Sequence, residues 1–286
     1  MAYNNHKSNN QENKLIQPSR QYFVPSQIMN TFSQKGKDHL QKEMSAQFIL
    51  SIKAGAFMTF GAVFSILLTM GVNQQGLAYL LSGLGFATGY LMVFMSEAIL
   101  FTEVNVLLPT YLLQKPYWLQ KRHLKFWLAT YIGNIIGALF VAMLILFSDS
   151  MDPSFSKELE TLLSHKMKFS EHGWWGWLQV VLSGIVANWL IGMATFLTTS
   201  ARDLIGKMAG TALPVILFVA GNFQHSAANM GYFSLGVIAS DQYSWTDYLF
   251  FNLIPASIGN IIGGAILVSL LFSYAFRNEM NGQLDQ

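Results

Sequence analysis

Six apolar stretches separated by short polar ones fill most of this chain, near 46–71, 76–101, 124–148, 177–200, 208–239 and 247–276. Each exceeds the roughly 20 residues that a helix needs to cross a bilayer. The pattern predicts six transmembrane helices, with polar residues interrupting the second and the fifth. Residues 1–45 are polar and basic without an apolar core, so a signal peptide is not expected. Within this region Ser26–Phe48 reads as a helix on the inner membrane surface, with Ile28, Met29, Phe32, Leu40 and Met44 as partial apolar support. Residues 1–24 read as a tail. The expected organisation is an N-terminal segment 1–45, a membrane domain 46–276 and a short tail 277–286.

Composition agrees: 52% of residues are hydrophobic and only 11% charged, far from the soluble balance. A net charge of +2 gives no reason to expect a nucleic-acid partner, and the lack of cysteine removes disulfides and thiolate metal sites. Charged residues then orient the helices. Lys7, Lys14, Arg20, Lys35, Lys37 and Lys42 precede span one; Lys115, Lys121, Arg122 and Lys125 follow span two; Arg202 and Lys207 follow span four. The alternate loops are uncharged or carry acids, among them Asp149, Asp152, Glu158, Glu160 and Glu171. Both termini are expected inside. Trp118 and Trp127 mark the inner face, and Trp174, Trp175, Trp177 and Trp245 the outer one.

The segment Ile-Gly-Asn-Ile-Ile-Gly occurs twice, at Ile132–Gly137 and Ile258–Gly263, 126 residues apart. Such self-similarity suggests two copies of a three-helix unit. Three crossings are odd, so the second copy is inverted, and inverted repeats place a site near the bilayer midplane. The simpler alternative is shared packing chemistry, because Gly133/Gly137 and Gly259/Gly263 are small-xxx-small pairs.

Span five carries Gly221, Asn222, Gln224, His225, Ser226 and Asn229 at membrane depth. Polar groups there need partners in protein or in a water-filled cavity, and an intramembrane ionisable residue is a functional candidate. The plainer reading is a buried histidine satisfied by a neighbour such as Asn229. About 126 residues earlier, Ser96 to Pro109 interrupts span two in the same way. Half-helices starting near Glu103 and Ser226 would aim positive dipole ends at a shared axis and attract a small anion. Glu97 and Glu103 keep a cation open as the alternative.

These residues carry a resemblance. Leu100-Phe101-Thr102, the run Phe218 to Met230 containing His225-Ser226-Ala227-Ala228-Asn229-Met230, Ala187-Asn188-Trp189-Leu190 and both Gly-Asn segments resemble the formate/nitrite transporter family, over about 45–276. The resemblance implies an aquaporin-like, all-α homopentamer in the cell membrane, of the bacterial inner-membrane kind, with one pore per protomer. It implies a small monovalent anion such as formate, nitrite or hydrosulfide, with protons and lipid as the other partners and no cofactor or metal. By position, His225 and Thr102 become the pore centre with Asn188 and Asn229. Leu100 and Phe218 become the inner constriction, and Phe86 and Tyr90 the outer one, with an aromatic where members often have leucine.

Three departures stand out. Gln224 replaces the usual glutamate before the histidine, and Ile99 an acidic residue between Glu97 and Glu103. The vestibule lysine before span four has no clean counterpart, leaving Lys168 or His172. A bare anion crossing an apolar constriction is heavily penalised by desolvation, so the expected mechanism protonates it through His225 and passes the neutral acid. A channel in which His225 only hydrogen-bonds the passing anion fits equally. An aquaporin-type channel for neutral solutes is the rival, although no proline follows Asn105, Asn222 or Asn229. An enzyme is disfavoured, since adjacent His225 and Ser226 point about 100° apart on a helix.

Overall fold

The computed structural model describes residues 21–114 and 119–284, all of the regular structure among them being helical. Lys7, Lys14, Arg20, Lys115, Trp118 and most of the expected tail lie outside the described residues. Helix α1 (Pro25–Gln41) is followed by α2 (Met44–Thr69), α3 (Gln75–Ser96), α4 (Phe101–Leu113), α5 (Lys121–Phe147), α6 (Pro153–Met167) and α7 (Gly173–Ser200). Then come α8 (Leu204–Ala220), α9 (Ser226–Ala239), α10 (Trp245–Ala275) and the terminal α11 (Arg277–Leu284). Among the described residues five helices are long and apolar enough to cross a membrane, and α8 is a shorter apolar one. Their outward faces carry side chains such as Leu128, Phe140 and Leu213, which lipid would cover.

Glycines set the helix contacts. Gly55 on α2 abuts the backbone of Asn134 on α5, and Gly137 abuts Ile52, so a methyl group at either position would enter the neighbouring main chain. Thr59 on α2 also donates to the Ala138 carbonyl, which fixes α2 and α5 as parallel. Gly85 and Gly89 of α3 lie on Ser65 and Phe57 of α2, an antiparallel pair. The other half repeats this arrangement: Gly259 and Gly263 of α10 lie on Val181 and Ile185 of α7 in parallel, while Gly210 of α8 meets Leu197 of α7 antiparallel. Small residues therefore bring the backbones together here. Each Gly-Asn segment packs on the first long helix of its own half.

Four expectations change. The second span ends as a helix at Ser96, five residues before the predicted boundary, and the half-helix expected to start near Glu103 starts at Phe101 and runs to Leu113 as α4. The fifth starts at Leu204 and not near 208, and runs as α8 and α9 with 221–225 between them. The expected outer loop at 149–173 holds α6, started by Asp152 accepting from the Ser154 N–H and by Pro153 in the first turn. Phe155, Leu159 and Leu163, one helical turn apart, bury its inner stripe.

The fourth change concerns the N-terminal helix. It ends at Gln41, with Lys42 and Glu43 extended before α2, instead of running on to Phe48. Its apolar stripe faces protein and not a membrane surface: Ile28, Met29 and Phe32 are packed with Val106, Leu107, Phe196 and Val268, and Gly36 sits on the Leu107 carbonyl. Burying three such side chains contributes roughly 5 kcal/mol or more. His39 on the same helix is also buried, and burial together with Lys35 and Lys42 lowers its pKa to about 4, with Asp38 opposing. Undocked, it would titrate near 6.5. A lowered value favours the docked helix fully above 6.5 and progressively less as pH falls toward 4. The loss at pH 5 is about 2 kcal/mol, less than the apolar contacts supply. Amide hydrogen exchange in α1 should therefore accelerate between pH 7 and 5 without full undocking, and His39→Phe should remove that dependence.

Candidate functional site

Two non-helical segments, 97–100 and 221–225, share one hydrogen-bond grammar. Each holds a non-glycine residue in the left-handed region, Glu97 at φ 55° as its first residue and Asn222 at φ 50° as its second. Each then closes a wide turn: the Ala98 N–H donates to the Val93 carbonyl at 3.2 Å, and the Phe223 N–H to the Phe218 carbonyl at 3.1 Å. The asparagine of the repeated hexapeptide holds each segment. Asn134 accepts from the Phe101 N–H at 2.9 Å and donates to the carbonyls of Ile99 and Ser51. Asn260 accepts from the Ser226 N–H at 2.8 Å and donates to the carbonyls of Gln224 and Gly184. One buried amide thus caps the first turn of α4 or α9 and ties the preceding loop to a long helix. Sequence reading credits only the glycines of this motif.

His225 is the N-cap of α9 and is inaccessible to solvent. Its Nδ1 accepts from the Ala228 N–H at 3.1 Å, which leaves Nε2 as the protonated nitrogen of a neutral ring. Tyr90 Oη lies 2.9 Å from that Nε2. The rings of Phe218 and Tyr90 flank the imidazole at 5.3 and 5.8 Å. Thr102, the second residue of α4, is fully buried beside the Tyr90 hydroxyl, and its Oγ1 has no hydrogen-bond partner in the protein. His225 thus converges on one spot with Tyr90 and Thr102, both more than 100 residues earlier in sequence.

Phe218 meets Phe86 edge-on at 6.0 Å and Tyr90 at 6.0 Å, the two rings that the sequence assigns to the other constriction. The reason is axial position. Ile216 of α8 lies against Gly83, in the first half of α3, so Phe218 belongs to the Phe86 level, while Leu100 follows the end of α3 as the N-cap of α4. Phe86 also stacks on Tyr232 at 5.4 Å.

Asn188 and Asn229 act mainly as ties. Asn188 donates to the carbonyls of Thr102 and Asn260 at 3.2 and 2.6 Å. Asn229 donates to Gln224 Oε1 at 3.0 Å and to Asn252 Oδ1 at 2.7 Å. The Oδ1 of each has no partner in the protein. Gln224 also accepts from Asn252 at 3.0 Å and donates its own Nε2–H to the Asn222 carbonyl at 3.1 Å. A glutamate could not make that last bond, because an ionised carboxylate only accepts. The departure at 224 thus suits its surroundings.

Cavities lie on either side of this centre. On the α6 side a space of about 620 Å³ is lined by Tyr79, Ser82, His165, Lys168 and Asn222. On the α1 side a space of about 220 Å³ is lined by Lys35, Asp38, His39, Lys42, Glu97 and Glu103. Lys168 lies over Phe169 at the wall of the first, and His172 is exposed and bonded to Gln179, away from the centre. The cation that reaches inward is Lys166, missed by sequence reading. It is buried, lies 5.1 Å over the Tyr232 ring and donates to Asn222 Oδ1 at 3.4 Å. Its signal is faint: Phe155, Leu159 and Leu163 predict the buried stripe, and Lys166 continues it at i+3. Among the described residues no His/Cys/Asp/Glu cluster is arranged to hold a metal.

Known proteins resemble this chain in sequence and fold. The chain is 30% identical over 279 residues to the formate channel FocA of Escherichia coli (strain K12), covering 90% of this chain and 95% of that one. It is 29% identical over 245 residues to a probable formate transporter of Methanothermobacter thermautotrophicus, covering 81% and 89%. A solved structure described as a pentameric formate channel with formate bound superposes with a TM-score of 0.68 at 24% identity, covering 82% of this chain and 98% of that one. The model of the formate/nitrite transporter family matches residues 26–274, and the chain belongs to that family.

Proposed function

We propose that this membrane transport protein, which is not an enzyme, passes formate or nitrite, with hydrosulfide as a further candidate, through a pore centred on His225 and coupled to protons. The observation that carries this reading is the His225 Nε2–H, fixed in a dry centre by the Ala228 N–H and facing the hydroxyls of Tyr90 and Thr102. Neutral donors there can receive an anion, and the imidazole, protonated from the aqueous side as the anion's charge arrives, can hand that proton on and return to its neutral form, so that the acid crosses uncharged. Lys166 on the α6 side draws anions inward. Phe86 with Phe218 forms the apolar layer beyond His225 on that side, and Leu100 with Tyr90 the layer toward α1. Asn188 and Asn229 hold the two half-helices in place, each leaving one carbonyl oxygen facing the path. Glu97 and Glu103 set the field of the α1-side vestibule, Gln224 keeps the centre free of a further charge, and Lys168 belongs to the rim.

The matched hydrogen bonds of Asn134 and Asn260, and the paired left-handed residues, support six spans in two inverted three-helix repeats with the second and fifth broken. The α1 side is the cytoplasmic one by the positive charge around it, so both termini are inside a cell membrane of bacterial inner-membrane type. The pentameric title of the solved relative supports a homopentamer for this chain, whose outer apolar faces meet lipid and neighbouring protomers. A competition panel of formate, nitrite, hydrosulfide, acetate and lactate in proteoliposomes at two pH values tests the reading. Saturable uptake of the small anions, faster at the lower pH, is expected. Rapid shrink–swell water flux with no anion dependence would favour the aquaporin-like rival.

A further inference from the structure

The hydrogen-bond count at the centre does not close within the protein. The Nδ1 lone pair of His225 is taken by the Ala228 N–H at 3.1 Å, and Tyr90 Oη lies 2.9 Å from Nε2 and 3.2 Å from Nδ1; with the ring proton on Nε2 the Tyr90 oxygen accepts there, and the engaged Nδ1 has no free lone pair for the phenolic proton. The phenolic proton is left over. Beside it lies the Thr102 hydroxyl, fully buried and unbonded. However these two hydroxyls turn toward each other, at least one O–H has no acceptor among protein atoms, and an unmatched buried donor is costly. The Tyr90 ring meets Phe86, Phe94 and Phe218 at 6.0, 5.8 and 6.0 Å, which holds its hydroxyl at this point. Sequence reading makes Tyr90 part of an apolar constriction, yet its polar end faces the centre.

We propose that Tyr90 is an anion-binding residue. Its phenolic O–H and the Thr102 O–H donate to the two oxygens of a small planar oxyanion, next to the His225 Nε2–H. This rests on the His225-centred reading and deepens it: a site with two converging hydroxyl donors favours formate or nitrite over hydrosulfide, which offers a single soft acceptor. The enclosing rings limit the site to anions of that size.

Tyr90→Phe removes one oxygen and keeps the ring contacts. Uptake of formate, nitrite and hydrosulfide at sub-saturating concentration is compared in proteoliposomes of wild type and variant. Losing one donor to a charged acceptor should lower formate and nitrite uptake about tenfold and leave hydrosulfide within about twofold, so the selectivity ratio moves. An unchanged ratio, or equal loss for all three anions, overturns the proposal and makes Tyr90 a packing residue. Wild type that carries none of the three defeats the His225-centred reading itself, a distinguishable result. Near-ultraviolet difference spectra on adding formate give a second readout. A tyrosine band should shift in wild type, and the absence of any shift in wild type counts against Tyr90 whether or not the variant inserts.

Discussion

Phenylalanine in place of His225 is expected to abolish proton-coupled uptake of formate and nitrite while leaving the protein folded. The substitution keeps an aromatic ring against Phe218 and Tyr90, whose centroids lie 5.3 and 5.8 Å from the imidazole. It loses the acceptor for the Ala228 N–H, an N-cap contribution of about 1 kcal/mol. Transport loses much more. A positioned proton donor and acceptor contributes about 10²- to 10⁴-fold, and no other imidazole lies at the centre among the described residues. His225→Asn separates the two roles, because an amide oxygen can cap α9 but cannot exchange a proton near neutral pH. Both variants should retain thermal stability close to wild type and lose at least about a hundredfold of proton-coupled flux. Labelled formate uptake with a parallel pH-sensitive dye decides it, and undiminished proton-coupled flux in His225→Phe would sink the mechanism.

The largest loss of stability is expected from alanine at Asn134 or Asn260. Each side chain serves three buried backbone groups at once: Phe101 N–H with the Ile99 and Ser51 carbonyls for Asn134, and Ser226 N–H with the Gln224 and Gly184 carbonyls for Asn260. Stranding a buried backbone group costs about 1–3 kcal/mol, so each change should cost roughly 3 kcal/mol or more. Both residues are inaccessible to solvent, which leaves little room for water to take over. Thermal unfolding in detergent should show both variants far less stable than Asn105→Ala, whose side-chain amide nitrogen already lacks a partner. Aspartate at 134 or 260 should not rescue, because it can cap the N–H but cannot donate to the two carbonyls. A drop of less than about 1 kcal/mol in both alanine variants would show that the breaks hold themselves.

Much of this was legible before any coordinates. Periodicity and loop charge identify a multi-span helical membrane protein, and the residues around His225 and Leu100-Phe101-Thr102 name the family whose model matches residues 26–274. Both interruptions stand out as polar runs in apolar sequence, because a bilayer penalises unpaired polar groups. Boundaries are harder. α4 is expected only as a half-helix beginning near Glu103, with no end marked in the sequence, and α6 reads as a loop because the charged residues of segment 149–173 outweigh a three-residue stripe. The ring level of Phe218 depends on where α8 slides along α3, a register that Gly83 and Ile216 decide through backbone contact.

The repeated hexapeptide shows the division most clearly. Sequence by itself determined that the motif recurs, that its glycines permit close helix packing and that polar residues break two spans, because composition and period are properties of the chain alone. Only the tertiary structure decided that the asparagine between those glycines caps one half-helix and ties its loop. Hydrogen bonds between residues 33 to 83 positions apart depend on which helices pack in parallel. The same holds for the meeting of Tyr90, Thr102 and His225: each is an ordinary residue in its own segment, and their chemistry arises where α3, the start of α4 and the distant 221–225 segment bring donors together in a dry interior.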